Sequence, residues 1–567
     1  MLLFCKGQTQ GFIIPSGGYV IAHNGNIVIK NNWINNGNFT HNGGTVIFNG
    51  TTQTISGTGA TSFYNLTINS GSTTGISSAA HKIKNALLSN GTLNANGNLT
   101  LLSTASQTAA IDGSGTGQVL GTVIMQRYLS SGFGYKYFSS PFQSDTVGDF
   151  SNDMNLAASF PAFYKHDENL TSTGWVSYTA GSGALNVLTG YAANMGSLNT
   201  PVTVDLKGVV STGSKSRTLY NNNRTYTQGF NLVGNPYPSP INWSASSGWT
   251  KTNIDNAVYY FNASTGNQYT GVYSSYVNGV SSDGIAGSTI AAMQGFFVHV
   301  SNGTFPVTAT LATTNSVRIL NSSAVFHKVS DEEAHSLLRL RVGFNEHPEI
   351  TDPVTVYFDN AATPGFNKET DALKILNTDS LIPNIYALSA DAQKLSIKAL
   401  TNIKDTVVMV PLGFSIKKDG YINFSLKDIH NIPAGLYIYF NDAAANINYD
   451  LRKDSAYTVL LPAGEYANRF SLKFSPRNIN IPVIDPVDNK PFAIYSAGGK
   501  LFVNGQLPVG QKANVSVVNM LGQVIYRNQI SGSLRGAIIS NVASGVYIVH
   551  ISSDKKNQTK KIFISNQ

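Results

Sequence analysis

Cysteine is all but absent from this sequence. Cys5 is the single one in 567 residues, so no disulfide can close within the chain and no thiolate zinc site can be assembled. Charge is scarce too. Asp, Glu, Lys and Arg make up 12% of the residues, about half of the roughly 25% usual in soluble domains. The net charge of +8 is spread thinly and gives no reason to expect a nucleic-acid partner. No run of eighteen apolar residues occurs, which excludes a membrane-crossing helix.

Acidic residues are rarest where polymer-cleaving chemistry would need them. Asp112 is the only acid before Asp145, Glu168 is the only glutamate before Glu332, and the first arginine is Arg127. Glycoside hydrolysis requires two carboxylates a few ångströms apart, so the N-terminal region cannot hold such a site. Asp145, Asp149 and Asp153 recur every fourth position, which puts three carboxylates on one helical face. Calcium loops instead place oxygens at alternate positions about a Gly turn, so a solvated loop or short helix is the plainer reading. His23, His41, His81, His166 and His299 share no metal-ligand spacing, and Glu332, Glu333 and His335 form only a polar patch. No nucleophile elbow, phosphate-cradling loop, dinucleotide fingerprint or His-Glu-x-x-His is present. The sequence offers no catalytic, cofactor or metal residues, and the chain reads as a non-enzyme.

What is abundant is turn chemistry. Gly, Asn, Ser and Thr separate short apolar stretches throughout, as in an extracellular all-β protein that needs no charge for solubility. Residues 11–126 carry apolar pairs such as Ile27 and Ile29, Val46 and Phe48, Leu66 and Ile68, and Leu99 and Leu101. Asn-Gly turns begin at Asn24, Asn36, Asn42, Asn49, Asn90 and Asn96. Short strands without a helical period predict a β-solenoid, with a meandering sandwich as the alternative. Residues 127–312 contain a duplication: Gly134–Phe142 matches Gly229–Tyr237, Ala162–Tyr164 matches Val258–Tyr260, Trp175–Tyr178 matches Tyr273–Tyr276, and Gly190–Ala193 matches Gly295–Val298. Two related β-lobes are expected. The second is rich in rings, and Trp243, Trp249, Tyr259 and Tyr273, with Tyr260, Tyr269 and Tyr276, are candidates for a glycan platform or for core and cross-strand pairs. Longer alternating strands in 313–475 predict an antiparallel sandwich. Pro476, Pro482, Pro486 and Pro491 make 476–491 a semi-rigid linker.

The last segment, 492–567, has strands over Lys500–Val503, Ala513–Val517, Met520–Tyr526, Val542–Ile551 and Lys560–Ile564, with turns at Asn504-Gly505 and around Gly522. This alternation reads as a small antiparallel Ig-like sandwich. Its Leu521-Gly522-Gln523 turn, its Gly545 and Tyr547, and the terminal Lys560-Lys561 strand resemble the type A C-terminal sorting domain of the bacterial type IX secretion system. The resemblance implies export across the outer membrane of Bacteroidetes-type bacteria, a translocon and a sorting peptidase as partners, and anchoring to surface lipopolysaccharide or release. Phe48–Gly57 with Phe63–Ile68 is similar to repeats of adhesin-like proteins of those bacteria. The cluster Lys555, Lys556, Lys560 and Lys561 suits a protected edge strand as well as an electrostatic contact. Residues 1–10, with Leu2-Leu3-Phe4-Cys5 before Lys6, look like the tail of a signal peptide whose start lies upstream and whose cleavage falls near Gln10. The expected function is that of a secreted, surface-displayed adhesin-type protein that binds a glycan, host or biofilm surface. The alternatives are a carbohydrate-binding component of a polymer-degrading system and a glycan-active enzyme.

Overall fold

The structure, a computed structural model, describes residues 11–264, 266–323, 335–377, 379–403, 406–453, 456–476, 492–497, 500–506, 511–531, 533–534, 537–539, 543–553 and 557–564. Residues 1–10, all of the expected linker 476–491 except Pro476, Glu332, Glu333, Lys555 and Lys556 lie outside these residues. Among the described residues the elements are strands and two short 3-10 turns. They divide into two compact units, 1–335 with 367–378, and 336–366 with 379–567.

The first unit begins with a parallel β-solenoid. One face stacks Phe12–Ile14, Trp33–Asn35, Thr52–Ser56, Thr73–Ile76, Thr92–Asn94 and Gln118–Leu120, each pair parallel. A second face stacks Asn26–Ile29, Thr45–Phe48, Ser62–Ile68, His81–Ser89, Leu99–Leu101 and Thr122–Leu129, again parallel. Parallel neighbours exclude the meandering sandwich, whose hairpins would pair antiparallel. Register aligns like with like in columns: Phe12, Trp33, Ile55 and Ile76 on one face, and Ile27, Val46, Leu66 and Leu87 on the other. Each fully buried aliphatic side chain in such a column contributes roughly 1.5–3 kcal/mol. The solenoid ends where Val202–Val209 pairs antiparallel to Thr122–Leu129. That last strand crosses the expected boundary at 126, because buried Arg127 donates to Thr108 Oγ1 and to Ala292 O and so ties the solenoid to the second lobe.

The solenoid core also holds a polar ladder. Trp33 Nε1 and Asn35 Nδ2 both donate to Thr61 Oγ1 at 3.1 Å. Thr61 N donates to His81 Nδ1 at 3.1 Å, while His81 Nε2 lies 2.8 Å from Ser78 O. An acceptor at Nδ1 and a carbonyl at Nε2 require the neutral Nε2–H tautomer, and burial lowers the His81 pKa accordingly.

The two lobes have the same topology. The first orders its strands Tyr135–Ser139, Gly190–Asn194, Phe163–His166, Trp175–Ser177, and the second Phe230–Gly234, Gly295–Val300, Ile254–Ala263, Gly271–Val277. Ladder pairs correspond: Ser139 with Gly190 and Gly234 with Gly295, Phe163 with Ala193 and Val258 with Val298, His166 with Trp175 and Phe261 with Tyr273. Register equates Phe163 with Val258 and Tyr164 with Tyr259, which corrects the sequence match there by one residue. The lobes pack through a local two-fold axis. A Cβ on Gly190 would lie 2.4 Å from Val233 O, and a Cβ on its equivalent Gly295 would lie 2.8 Å from Phe138 O, the equivalent carbonyl. Residue i meeting j while j's counterpart meets i's is the signature of an isologous contact. Ser139 and Gly234, which are equivalent, meet each other, with a Cβ on Gly234 only 2.1 Å from that of Ser139.

The composition shift at Asn315 does not mark the edge of a unit. Residues to Ile319 stay with the lobes because Ile319 N donates to Pro240 O and Arg318 bonds Ser239 Oγ and Ile111 O. In the second unit one continuous path runs Ile447–Asp450, Tyr437–Asp442, Phe470–Ser475, Val408–Ile416, Asn384–Leu388, Lys394–Leu400, Thr351–Phe358, Leu337–Phe344, Gly420–His430, Ala456–Leu461. It folds back on itself, with Phe424 against Phe414, Phe440 and Phe470 at 4.7–5.1 Å. Among the described ladders of this unit, one departs from the expected antiparallel pattern: Thr351–Phe358 lies parallel to Lys394–Leu400.

Candidate functional site

The C-terminal segment forms two small sheets around a core of Phe492, Ile494, Leu501, Val503, Val515, Val517, Val549, Ile551 and Ile564. Every described ladder in it is antiparallel. Asn504-Gly505, expected as a turn, instead continues the Lys500–Gln506 strand opposite Phe492 and Ala493. Asn504 Nδ2 donates to Tyr495 OH there at 3.0 Å. An Asn-Gly pair makes a hairpin only if the chain must reverse, and here the cross-strand partner holds it extended.

The Leu521-Gly522-Gln523 turn is built by one side chain. Asn519 Oδ1 accepts from Leu521 N and Gln523 N, both at 3.0 Å, and Asn519 Nδ2 donates to Gln523 Oε1 at 2.9 Å. Gly522 has φ +81°, which a residue with a Cβ adopts at a cost. This scaffold pushes Leu521 out to 85% exposure, beside exposed Met520, Val524 and Ile525. Tyr547 serves a different purpose: it is buried and its hydroxyl donates to Ala543 O at 2.8 Å, fixing the approach to the Gly545–Ser553 strand. Gly545 meets nothing closer than 3.8 Å at its missing Cβ, so packing does not demand glycine there. Lys560 and Lys561 lie on the edge strand Asn557–Ile564. Lys560 Nζ crosses to donate to Ile494 O at 2.7 Å, whereas Lys561 stays exposed opposite Ile548.

The ring-rich second lobe does not present its rings together. Trp243 is 1% exposed, in the core on one face of the sheet with Val258, Tyr260, Tyr276 and Phe296. Its indole donates to Asn256 O at 2.8 Å, and Lys251 Nζ lies 3.6 Å from the ring centroid, with burial lowering that lysine to about 8. Half-buried Trp249 packs edge-on against it at 4.9 Å. Tyr259, also 1% exposed, lies on the opposite face against Phe230. Tyr273 bonds Tyr137 OH at 2.8 Å between the lobes. Trp243 and Tyr259 are therefore core, and half-buried Trp249 and Tyr273 pack against Trp243 and Tyr137 respectively, so the four rings form no common surface for a sugar. Of the aromatic candidates only Tyr269 stands exposed.

The three aspartates are likewise kept apart. The helix is a single 3-10 turn, Val147–Phe150, too short to carry all three on one face. Asp145 is buried and accepts from Ser140 Oγ at 2.5 Å, and burial raises its pKa to about 7. Asp149 accepts from Thr146 N. Asp153 is raised to about 6 by burial and by neighbouring Asp205. Among the described residues no three His, Cys, Asp or Glu side chains gather as metal ligands. One acid and histidine pair escaped the sequence reading: His299 Nδ1 lies 2.5 Å from Asp255 Oδ2, and Ser301 Oγ donates to Asp255 Oδ1 at 2.6 Å. Both members of the pair are at most 2% exposed, which closes it to substrate, and residues 44 apart in sequence carry no motif.

An all-β chain with a sandwich of this build in its C-terminal segment defines a sorting-domain protein of the type IX secretion system. The model of the secretion system C-terminal sorting domain matches residues 497–565, and the chain is therefore exported to the cell surface or the medium. Residues 22–474 match a domain of unknown function, DUF8693, and the chain belongs to that family. No curated protein matches it.

Proposed function

We propose that the exported body is a non-catalytic adhesin-type protein and that the C-terminal domain is its address. The observation that carries the non-catalytic reading is the employment of four acids of the first unit. Asp145 is bonded to Ser140, Glu168 to Asn222 and Thr227, Asp255 to His299 and Ser301, and Asp283 to Ser274, Ser281 and two backbone amides. Glu168, Asp255 and Asp283 accept at both carboxylate oxygens from groups that hold the fold, whereas Asp145 leaves Oδ1 without a partner but is only 2% exposed and so closed to substrate; none of the four stands ready as a general acid or base. The outward Met520-Leu521 tip is the part of the address that the translocon reads. A sorting peptidase then cuts the chain ahead of residue 492, and the body is anchored to lipopolysaccharide or released.

Purified full-length protein incubated with a panel of polysaccharides should release no reducing ends and no unsaturated products. Cells lacking the gene should attach less well to glycan-coated or biofilm surfaces. Depolymerisation of any polymer would replace this reading with that of a glycan-active enzyme, and unchanged attachment would remove the adhesin role.

A further inference from the structure

Four aromatic rings gather where the two lobe sheets part at one end. Tyr135 opens the first strand of the first lobe and faces Tyr164 with ring centroids 6.2 Å apart. Tyr269, in the hairpin loop of the second lobe, lies 6.5 Å from Tyr135 and 5.2 Å from Phe160. Phe160 is 57% and Tyr269 50% exposed, while Tyr135 and Tyr164 are half-buried.

The group is constructed, not frayed. Gly134, at φ +71°, precedes Tyr135, and a Cβ there would lie 2.9 Å from Ala263 Cβ and 3.0 Å from Gln268 O, so glycine lets the second-lobe loop close in. Tyr269 N donates to Asn267 Oδ1 at 3.0 Å, and Ser264 N to Thr270 O at 2.8 Å. Pro161 confines the backbone of Phe160 to extended conformations.

The duplication supplies an internal comparison. Register makes Phe230 and Tyr259 the counterparts of Tyr135 and Tyr164, and they meet edge to face at 5.2 Å. That pair is closed: the two rings are 8% and 1% exposed, with the His299 ring on Phe230 and the Ala372–Leu373 strand against the Tyr259 strand. In the first lobe Asn194 occupies the place of His299, and the ring pair keeps an open face. The same architectural position is therefore filled in one lobe and left to solvent in the other.

We propose that this open ring group is a binding site for a neutral polysaccharide. The rings offer apolar faces to the C–H faces of sugars, and the tyrosine hydroxyls at their edges offer hydrogen bonds to sugar hydroxyls. The adjacent charges point elsewhere: Lys136 Nζ donates to Phe133 O, and Lys165 lies over Tyr178. With neither of these lysines turned toward the rings, an anionic polymer meets no counter-charge from them there. This inference rests on the proposed binding role and gives it a ligand class and a place.

Affinity electrophoresis of the full chain tests it, with hydroxyethyl cellulose, mixed-linkage glucan, xylan and galactomannan as neutral probes and alginate as the polyanion. At least one neutral polymer should retard the wild-type protein. The double variant Phe160→Ala, Tyr269→Ala should weaken that retardation at least tenfold while its melting temperature stays unchanged, since both side chains are exposed. Trp249→Ala should leave it as it was. Retardation by alginate alone, retention in the double variant, or failure of every neutral polymer overturns the site. If every neutral polymer fails but gene deletion still lowers attachment to biofilm surfaces, the site falls and the adhesin role stands; if both fail, both fall.

Discussion

Gly190→Ala probes the packing of the lobes. A methyl group there would sit 2.4 Å from Val233 O and 2.7 Å from Leu232 Cγ, and a strand carbonyl held in its ladder cannot swing aside as a side-chain tip can. Overpacking of this kind costs about 1–3 kcal/mol. Replacing glycine returns up to about 1 kcal/mol by restricting the unfolded chain, so the net loss expected is about 1–2 kcal/mol. Gly295→Ala should cost a similar amount through Phe138 O at 2.8 Å. The double variant should cost less than the two together, because the first substitution already parts the sheets on which the second acts. Gly181→Ala is the control, since its Cβ would meet nothing nearer than Gly148 Cα at 3.7 Å. All four tryptophans, Trp33, Trp175, Trp243 and Trp249, belong to the first unit, so intrinsic fluorescence during urea titration follows its unfolding. A midpoint for Gly190→Ala equal to that of Gly181→Ala would refute the close two-fold crossing.

His166, buried between Trp175 and Phe297, is lowered from 6.5 to about 4 by burial, with Arg217 adding to the shift. Its contribution is whole above pH 6.5 and is lost as pH falls toward 4, about 3 kcal/mol in all. Asp145, raised from 3.8 to about 7 by burial, acts in the opposite sense, with its contribution whole below 3.8 and lost as pH rises to 7. Melting curves should therefore show that Asp145→Asn steepens acid destabilisation relative to wild type and His166→Gln relieves it; parallel pH profiles for all three would contradict both assignments. Leu521→Ser, at an 85% exposed position, should leave the melting temperature unchanged yet leave most of the protein in the periplasm of a type IX-competent host. Normal export of that variant would remove the turn tip from the recognition surface.

Much of the architecture was legible because β-structure writes its turns and its alternation into local sequence. The short strands before residue 126 and the paired landmarks of the two lobes are patterns of that kind. Strand direction is not local. A three-residue apolar stretch such as Leu99–Leu101 reads the same in a solenoid and in a hairpin, and only its neighbours, His81–Ser89 and Thr122–Leu129 on either side, both parallel to it, decide between them. The exposure of a ring is equally non-local. Trp243 and Phe160 are both aromatic residues amid Ser, Ala and Pro, yet one is sealed by Phe296 and Lys251 and the other stands in solvent.

By itself the sequence determined the class of this protein and its destination. One cysteine, few charges and abundant turn residues leave room only for short strands, and the Leu-Gly-Gln turn with its flanking strands is specified within a few dozen contiguous residues. Tertiary structure alone decided which carboxylates are bound up in the fold, which rings are core, and where the two copies of the lobe differ. Those properties depend on residues far apart in the chain meeting across a sheet or an axis, as Tyr135 and Tyr269 do, and no local pattern encodes such a meeting.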